Sequence, residues 1–459
     1  MSGLIERNLQ RLGRQLQGRI SVPGDAGYAY ATAIWAKPTG DMPRAVVHCR
    51  TPQDVQLAIR GARDCDVALS VRGGGHDWVG RALCDGIVID LSLMNAVVVD
   101  RDGTARISGG ARVADVLRAS DPLELAAVAG SVGAVGMAGL TLGGGYGPLI
   151  GRYGLALDNL VAAEVVLADG RIVVADSHNE ENLFWALRGG GGNFGVVTKM
   201  RHRLHLLSNV RSGLIIYPSS EAKAVLEHCA EILASGPDEL TAQVGFVAGA
   251  DGDPVIFVAP TWCGSQAEGE VRIAPLLKLG TLLANTVDVM SCGASTAIFD
   301  AHIVNGKRTF METCWLPALG SESIEVFVEA MSKIVSAGCA MFTHEFKGAA
   351  WRVPEAATAF GLRRDHVLVE ILAAFDDRSG KFEEQQHRQW ARATRHAFDA
   401  MSLPGGYPNL LDAGEPGRVM KSYGRNAERL IRTKRQYDSE NIFWSAIPLP
   451  AGETKAERA

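Results

Sequence analysis

Clusters of glycine constrain this chain more than any other feature of its sequence. It has 52 glycines among 459 residues, and they concentrate at 73–75, 130–147 and 189–195. Glycine adopts positive φ and lets a backbone approach a ligand closely, so that consecutive amides can point at phosphate oxygens. Tight turns between strands explain a single cluster. Three clusters in one part of the chain favour a large anionic ligand, such as a dinucleotide, lying across several loops.

The familiar nucleotide-binding motifs do not explain these clusters. The chain has no G-x-x-x-x-G-K-[ST] run, which excludes a P-loop. Residues 190–195 fit G-x-G-x-x-G, but a predicted helix precedes them and a predicted strand follows. A dinucleotide-binding βαβ unit needs the opposite order. A dinucleotide would therefore be held by another arrangement.

The run VRGGGHDWVG at 71–80 places His76 directly after three glycines. A surface turn, a buried structural histidine and a phosphate-binding loop are all compatible with this run. A metal site lacks partners, since no H-x-x-x-H or local Cys/His cluster is present. An imidazole can also bond covalently to an electrophilic cofactor carbon. The residues alone leave these readings open.

The pattern of apolar residues predicts an α+β fold. From about 20 to 205, short strands alternate with helices, and Thr51 is the predicted N-cap of a helix over 51–66. A hairpin over 162–176 should turn at Asp169-Gly170. Longer helices and strands follow from about 210 to 403, and 422–444 reads as one helix followed by a turn. The other strands are predicted at 45–49, 68–72, 86–92, 96–100, 104–110, 194–207, 240–249, 253–262 and 366–375, and the other helices at 111–121, 182–189, 219–236 and 321–338.

Composition narrows the function classes. The formal net charge of −5 and the lack of a basic arm argue against a nucleic-acid partner. Eight scattered cysteines without a C-x-x-C pair indicate reduced, mostly buried thiols rather than a metal site. No stretch reaches the ~18 apolar residues of a membrane span. We expect a cytoplasmic protein with no metal, nucleic-acid or membrane partner.

Several motifs together resemble one family. RGGGH at 72–76 is similar to the flavin-attachment loop of the berberine-bridge-enzyme-like FAD-linked oxidases, within the vanillyl-alcohol-oxidase or PCMH-type superfamily. The other matching motifs are GIVIDLSLMN (86–95), VGAVGMAGLTLGGGYGPLIGRYGLALDNL (132–160), LFWALRGGGGNFGVVT (183–198), NGKRTFMETCWL (305–316), RVPEAATAF (352–360) and KRQYDSENIF (434–443).

The resemblance implies a bipartite PCMH-type FAD-binding domain, built from residues 1–205 and 405–459. A substrate domain of antiparallel sheet backed by helices would be inserted at 206–404. It also implies that His76 is bonded to the flavin 8α-methyl group. Val132 occupies the position where some members add a cysteine, so no second bond is expected. Val135 lies where members control oxygen access to the flavin.

The resemblance further implies which residues contact FAD. Ser422 stands where an often catalytic tyrosine is found in relatives, which weakens the case for tyrosine-assisted deprotonation. The expected contacts are Arg72, Gly73, Gly74, Gly75, His76, Asp77, Gly80, Gly130, Ser131, Val135, Gly136, Gly139, Leu142, Gly143, Gly144, Gly145, Gly147, Asp158, Asn159, Gly195, Val197, Tyr423 and Asn426.

The implied activity is transfer of a hydride from a small alcohol, amine or secondary metabolite to flavin N5 and then to O2, giving H2O2. A dehydrogenase or cyclase with little O2 turnover is the alternative, and a monomer and a homodimer are both open. Glu370, in the apolar run VLVEILAAF, is one candidate base, because burial raises a carboxyl pKa towards neutrality. Glu345, in FTHEFKG, is the second, because it resembles a substrate-contacting glutamate of the nicotine-oxidizing relatives. Each is also compatible with a solvated or salt-bridged position on a strand. His302, His344 and His366 are candidate pocket residues, with a structural or surface position as the competing interpretation.

Overall fold

The computed structural model describes residues 2–38, 40, 42–300, 303, 305–376, 380–412, 414–443, 447 and 449. It has an α+β architecture with sheets of four, six and nine strands. Within these residues, no helix combines the length and the apolar character that a bilayer span requires. The eight cysteines are unpaired, and seven of them are buried.

The first sheet combines parallel and antiparallel pairing. Its order is β1-β2-β4-β3, with β1 antiparallel to β2 and the other pairs parallel. Helices cover it, so β2 and β4 are buried along their whole length. The Thr51 side chain accepts the Asp54 N–H, which confirms the predicted cap. The elements are α1 (Ser2–Gly13), β1 (Arg19–Ser21), α2 (Ala26–Thr32), β2 (Ala45–His48), α3 (Pro52–Asp64), β3 (Ala68–Arg72) and β4 (Gly86–Asp90).

The second sheet is antiparallel, in the order β5-β6-β10-β8-β9, with β7 paired to β10. The hairpin β8–β9 turns through Asp169 and Gly170, as predicted. The elements are β5 (Val97–Val99), β6 (Thr104–Ser108), α4 (Val113–Ser120), β7 (Leu125–Ala127), α5 (Met137–Gly143), α6 (Ile150–Tyr153), β8 (Leu160–Val166), β9 (Ile172–Ala175), α7 (Glu181–Leu187) and β10 (Val196–Leu206).

The third sheet is also antiparallel, in the order β15-β12-β14-β13-β18-β19-β17, with β11 paired to β14 and β16. The helices α8, α11 and α13 share one apolar core with it, including Leu226, Phe327 and Trp390. The elements are β11 (Val210–Ser212), β12 (Ile215–Pro218), α8 (Ala222–Ala234), β13 (Leu240–Ala248), β14 (Pro254–Trp262), α9 (Gln266–Ile273), β15 (Ala284–Asn285), β16 (Asp288–Met290), α10 (Cys292–Thr296), β17 (Arg308–Leu316), α11 (Ser321–Ser332), β18 (Cys339–Phe346), α12 (Ala349–Arg352), β19 (His366–Phe375) and α13 (Lys381–Ala397).

The C-terminal segment returns to the second sheet. Here α14 (Pro416–Tyr423) and α15 (Ala427–Tyr437) replace the one helix, followed by a turn, that was predicted within 422–444. That prediction is wrong at its start, because Gly424 adopts φ +49° and ends α14. The second helix, α15, packs against α7. The C-terminal segment thereby lies beside the glycine cluster at 189–195.

Candidate active site

A cavity of about 440 Å³ lies between the glycine-rich loops and the third sheet. This volume is within the range of sites that hold a cofactor or a drug-sized ligand. On one side it is bordered by backbone from 73–77, 130–139 and 191–197. The opposite side is a largely apolar surface of the third sheet, formed by Val247, Phe257, Met311, Phe342, Leu368 and Leu372.

The loop at 73–76 is fixed by close backbone contacts. A Cβ atom on Gly74 would lie 2.4 Å from the Cα of Gly136, so the first two glycine clusters touch. Gly75 has φ +75°, and its carbonyl accepts the Trp35 N–H at 2.8 Å. Across the residues that the structure describes, the N–H groups of Gly73, Gly74 and Gly75 donate no hydrogen bond to the protein. They are therefore available to a ligand.

His76 faces the same cavity. Its ring stacks on Trp35 with centroids 4.5 Å apart and planes 7° from parallel. Burial lowers the pKa of His76 to about 4, and the nearby Arg112 charge adds to this effect. The imidazole is therefore neutral at pH 7, with an unprotonated nitrogen that can act as a nucleophile.

Glu370 and His344 form a pair on the opposite side of the cavity. Glu370 Oε1 lies 3.0 Å from His344 Nε2, and both side chains are largely buried. Gln243 Nε2 lies 3.1 Å from His344 Nε2 and 3.3 Å from Nδ1. Phe342 and Leu368 border the cavity beside the pair. The structure therefore places a carboxylate with a polar partner in an otherwise apolar surface, which suits a general base.

Tyr407 also lines the cavity, and the sequence analysis missed it. Its hydroxyl oxygen accepts the Gly145 N–H at 2.9 Å and an Asn409 Nδ2–H at 3.1 Å. These two donors occupy the lone pairs of the oxygen, so its own hydrogen is left to donate. Burial raises the pKa of Tyr407 to about 12, and the Glu370 charge contributes. The run GGYPN at 405–409, in the C-terminal segment that returns to the second sheet, is the sequence feature that could have indicated this tyrosine.

Thirteen of the expected FAD contacts border the cavity, and ten do not. Those that border it are Gly73, Gly74, Gly75, His76, Asp77, Gly130, Ser131, Val135, Gly136, Gly139, Leu142, Gly195 and Val197. Gly143, Gly144 and Gly145 instead pack against Tyr407 and Asn409. A side chain on Gly143 would overlap the Asn409 amide, so these glycines position Tyr407.

Five further expected contacts have structural partners elsewhere. Arg72 is buried beneath the loop, where it pairs with Asp90. Gly80 closes a turn by donating to the Asp77 carboxylate. The remaining three are Gly147, which packs on the Ala129 carbonyl, Asp158, which pairs with Arg363, and Asn159, which donates to the carbonyls of Tyr153 and Leu155.

The returning helices position two more of these residues away from the cavity. The Tyr423 side chain is buried and packs in the apolar core. Asn426 donates to the carbonyls of Glu355 and Thr358. Ser422 accepts the Gly406 N–H and donates to the Arg418 carbonyl. All three stabilise the segment, and Tyr407 is the tyrosine from this segment that reaches the cavity.

The two candidate bases lie in different environments. Glu345 accepts the Ala242 N–H at 2.7 Å and lies 3.7 Å from Lys347 Nζ. Burial raises the pKa of Glu345 to about 7, although the Lys347 charge opposes the shift. It borders a smaller neighbouring pocket of about 30 Å³, which shares Gln243 and His344 with the main cavity, and it is not among the residues that line the main cavity. Only Glu370 of the two carboxylates faces the large cavity.

The candidate histidines also differ in position. His344 faces the cavity, whereas His366 is buried behind it, with Nε2 accepting the Tyr146 hydroxyl at 2.6 Å and Nδ1 donating to the Arg364 carbonyl. His302 lies outside the described residues. Among the described residues there is no group of three His, Cys, Asp or Glu side chains that could hold a metal ion.

Comparison with known proteins agrees with this geometry. A model of the FAD binding domain matches residues 43–176, and one described as berberine and berberine like matches 406–450. The (R)-6-hydroxynicotine oxidase of Paenarthrobacter nicotinovorans is 35% identical over 445 residues, covering 93% of this chain and 95% of the relative. The chain belongs to the berberine-bridge-enzyme-like family of FAD-linked oxidoreductases.

Two other relatives support membership of this berberine-bridge-enzyme-like family. An uncharacterized FAD-linked oxidoreductase of Bacillus subtilis is 29% identical over 442 residues, covering 94% of this chain and 96% of the relative. The crystal structure of 6-hydroxy-D-nicotine oxidase from Arthrobacter nicotinovorans superposes with a TM-score of 0.86 at 29% identity, covering 95% of this chain and 98% of the other. The fold is therefore the PCMH-type FAD-binding fold, and the protein is an FAD-linked oxidoreductase.

The residues present fit FAD. The free amides at 73–75 suit the anionic pyrophosphate, and a Cβ atom on Gly139 would meet open space. Val71, Leu91 and Phe443 supply apolar surface for a flat ring. FAD would thus be held by the first two glycine clusters and by the third at 191–195, with His76 at one side.

Proposed function

We propose that this enzyme is an oxidase for a small alcohol, amine or secondary metabolite, with O2 as the final acceptor and H2O2 as a product. The main observation in support of this proposal is that the His76 loop and the Glu370–His344 pair border the same cavity. The similarity to (R)-6-hydroxynicotine oxidase supports an oxidase acting on a small molecule.

The flavin is held covalently through His76 in this proposal. A neutral imidazole bordering the cavity supports it, because a protonated ring could not act as a nucleophile. Val132 lines the cavity where some family members have a second attachment residue. None of the cysteines, all of which the structure describes, is among the lining residues. Attachment therefore involves one histidine.

The chemistry divides between the cofactor and the protein. FAD, when bound, supplies the hydride acceptor. Glu370 takes the proton from the O–H or N–H group of the substrate, while His344 fixes one carboxylate oxygen at 3.0 Å. The Tyr407 hydroxyl donates to the substrate heteroatom. Phe257, Phe342 and the other apolar side chains exclude water from the reacting bond.

The division into domains follows the same scheme. Residues 1–205 and 405–459 bind FAD, and 206–404 bind the substrate. The first two sheets lie within 19–206 and the third within 210–375, which supports this division. Val135 borders the cavity beside Gly136, where a small side chain leaves O2 a route to the flavin.

Two measurements test the proposal. Acid-denatured protein should retain yellow flavin, and His76→Ala should lose that retention. A peroxide-release screen over hydroxylated N-heterocycles, sugars and aromatic alcohols should identify a substrate. Glu370→Gln should then lower kcat/KM by about 10²–10⁴-fold, the usual contribution of a general base. The matched variant Glu345→Gln should retain turnover, because Glu345 lies outside the cavity.

The results of these measurements distinguish an oxidase from a dehydrogenase and test the two assigned residues. Reduced flavin that stays reduced in air would make the protein a dehydrogenase and remove O2 from the scheme. Full activity of Glu370→Gln would remove Glu370 as the base. Covalent flavin in His76→Ala would contradict the attachment residue.

A further inference from the structure

A buried chain of polar side chains lies beneath the His76 loop. Ser21 Oγ lies 3.0 Å from His48 Nε2, and His48 Nδ1 lies 2.8 Å from Asp90 Oδ2. Asp90 Oδ1 accepts from Arg72 Nη1 at 2.9 Å, and Ser92 Oγ donates to Asp90 Oδ2 at 2.6 Å. All four strands of the first sheet contribute, because Ser21, His48, Arg72 and Asp90 are the last residues of β1, β2, β3 and β4.

The order serine–histidine–aspartate is that of a hydrolase triad, but this site is sealed. Ser21 is 4% exposed, His48 1% and Asp90 0%. The backbone of α2 covers the serine, since a Cβ atom on Gly27 would lie 2.5 Å from Ser21 Oγ. A substrate cannot approach the hydroxyl, so a hydrolytic role is excluded by access. These buried polar groups must act on their neighbours instead.

The neighbour that connects them to the cavity is Arg72. Its guanidinium lies against Gly75, where an added Cβ atom would be 3.1 Å from both Nε and Nη2. The Arg72 carbonyl accepts the Leu91 N–H at 3.0 Å, and Leu91 borders the cavity. The Trp35 backbone N–H donates a hydrogen bond to the Gly75 carbonyl. The residue before His76 is thus held between the guanidinium and the Trp35 backbone.

We propose that Ser21, His48 and Asp90 are positioning residues for covalent attachment of the flavin, acting through Arg72 on the Gly75–His76 backbone. The inference rests on the proposed attachment at His76. That reaction forms a bond between an imidazole nitrogen and the flavin methyl carbon and breaks one methyl C–H bond. It also breaks the imidazole N–H bond, so that two protons are released; the two electrons would pass to the flavin, and O2 would take them up with two protons as H2O2. The rate depends on how long the imidazole stays aligned with that carbon.

The geometry accounts for each member of the chain. Asp90 needs a fixed orientation to hold Arg72, and His48 and Ser92 occupy its second oxygen. Ser21 in turn fixes the far nitrogen of His48 and hence its ring orientation. Loss of His48 or Asp90, the two inner members of the chain, should therefore affect the loop more than loss of Ser21.

The experiment measures attachment separately from binding. Protein produced under riboflavin limitation is incubated with FAD, and acid-stable flavin is followed over time alongside non-covalent binding and the melting temperature. His48→Gln and Asp90→Asn should slow attachment at least tenfold while FAD still binds within about threefold of the wild-type Kd. Ser21→Ala should slow it a few-fold. The control, His387→Gln, removes an equally buried histidine on α13 and should leave the attachment rate unchanged, even where its melting temperature falls.

The experiment distinguishes failure of the positioning inference from failure of the proposed attachment at His76. If the wild type forms acid-stable flavin and both inner variants do so at the same rate, the positioning inference is overturned and the proposed function stands. If the wild type forms none, attachment at His76 fails and this inference fails with it. Should the inner variants not fold, Ser21→Ala decides, and an unchanged rate in that variant contradicts the inference.

Discussion

The phenol oxygen of Tyr407 accepts the backbone N–H of Gly145 at 2.9 Å, which joins the second glycine cluster to the C-terminal segment. The cluster therefore has two functions along its length. Residues 130–139 border the cavity, whereas Gly143–Gly145 provide space for the ring and a donor for the hydroxyl of one tyrosine. A Cβ atom on Gly144 would lie 2.9 Å from that ring, so the contact depends on glycine.

Tyr407→Phe should lower turnover and stability together. Removal of the hydroxyl leaves the buried Gly145 N–H without its acceptor, which costs about 1–3 kcal/mol in the free energy of unfolding. It also removes the hydroxyl that donates to the substrate in the proposed mechanism. Urea unfolding and steady-state kinetics measure the two effects. Tyr28→Phe is the control, because its hydroxyl donates to the Pro43 carbonyl outside the cavity; a loss of turnover in both variants would contradict a role for Tyr407 in the reaction.

Much of the fold was predictable because local patterns determine it. The Thr51 cap, the turn at Asp169-Gly170 and the alternation along β10 all depend on neighbouring residues. The break at Gly424 was missed, since a glycine within an otherwise helical pattern does not reveal its φ.

The site was predictable only in part. Glu370 and His76 stand out in sequence, one as a carboxylate in an apolar run and the other after three glycines. The partners His344 and Tyr407 come from elements 26 residues before and 37 residues after Glu370. Their proximity depends on the β18–β19 register and on the path of the returning segment, which sequence patterns do not specify.

His344→Leu should impair the reaction more than His344→Gln. Glutamine keeps a polar group beside Glu370 Oε1, whereas leucine leaves the carboxylate without a polar partner in an apolar surface. We expect kcat to fall about tenfold in the glutamine variant and about a hundredfold in the leucine variant, because a misplaced base loses alignment. Steady-state kinetics with a substrate from the peroxide screen provides the comparison, and equal losses in the two variants would contradict a role for this polar contact.

Glu345 should make the stability of the protein depend on pH. Burial raises the pKa of its carboxyl to about 7 from 4.5. Between these values the native state holds a proton that the unfolded chain releases, so the free energy of unfolding falls as pH rises. The resulting change in the free energy of unfolding is at most about 3 kcal/mol. Urea unfolding of Glu345→Gln should show a shallower decline than the wild type between pH 5 and 8, whereas the exposed control Glu325→Gln should follow the wild type.

The last prediction concerns Lys434, which is completely buried beside the third glycine cluster. Its ammonium pairs with Asp438 at 2.6 Å and donates to the Asn193 carbonyl at 2.9 Å. Asp438 also accepts the N–H of Phe443, which borders the cavity. Lys434→Met leaves the Asp438 charge buried without its partner and should lower the free energy of unfolding by about 3–5 kcal/mol.

An exposed lysine–glutamate pair provides the control for the Lys434 prediction. Lys333 and Glu329 have the same four-residue spacing on a helix but are more than half exposed. Lys333→Met should therefore change stability by less than about 0.5 kcal/mol. Because Lys434 also fixes Asn193, its loss should weaken non-covalent FAD binding, measurable by flavin fluorescence in the His76→Ala background. Similar unfolding curves for the two lysine variants would show that the buried pair does not stabilise this part of the molecule.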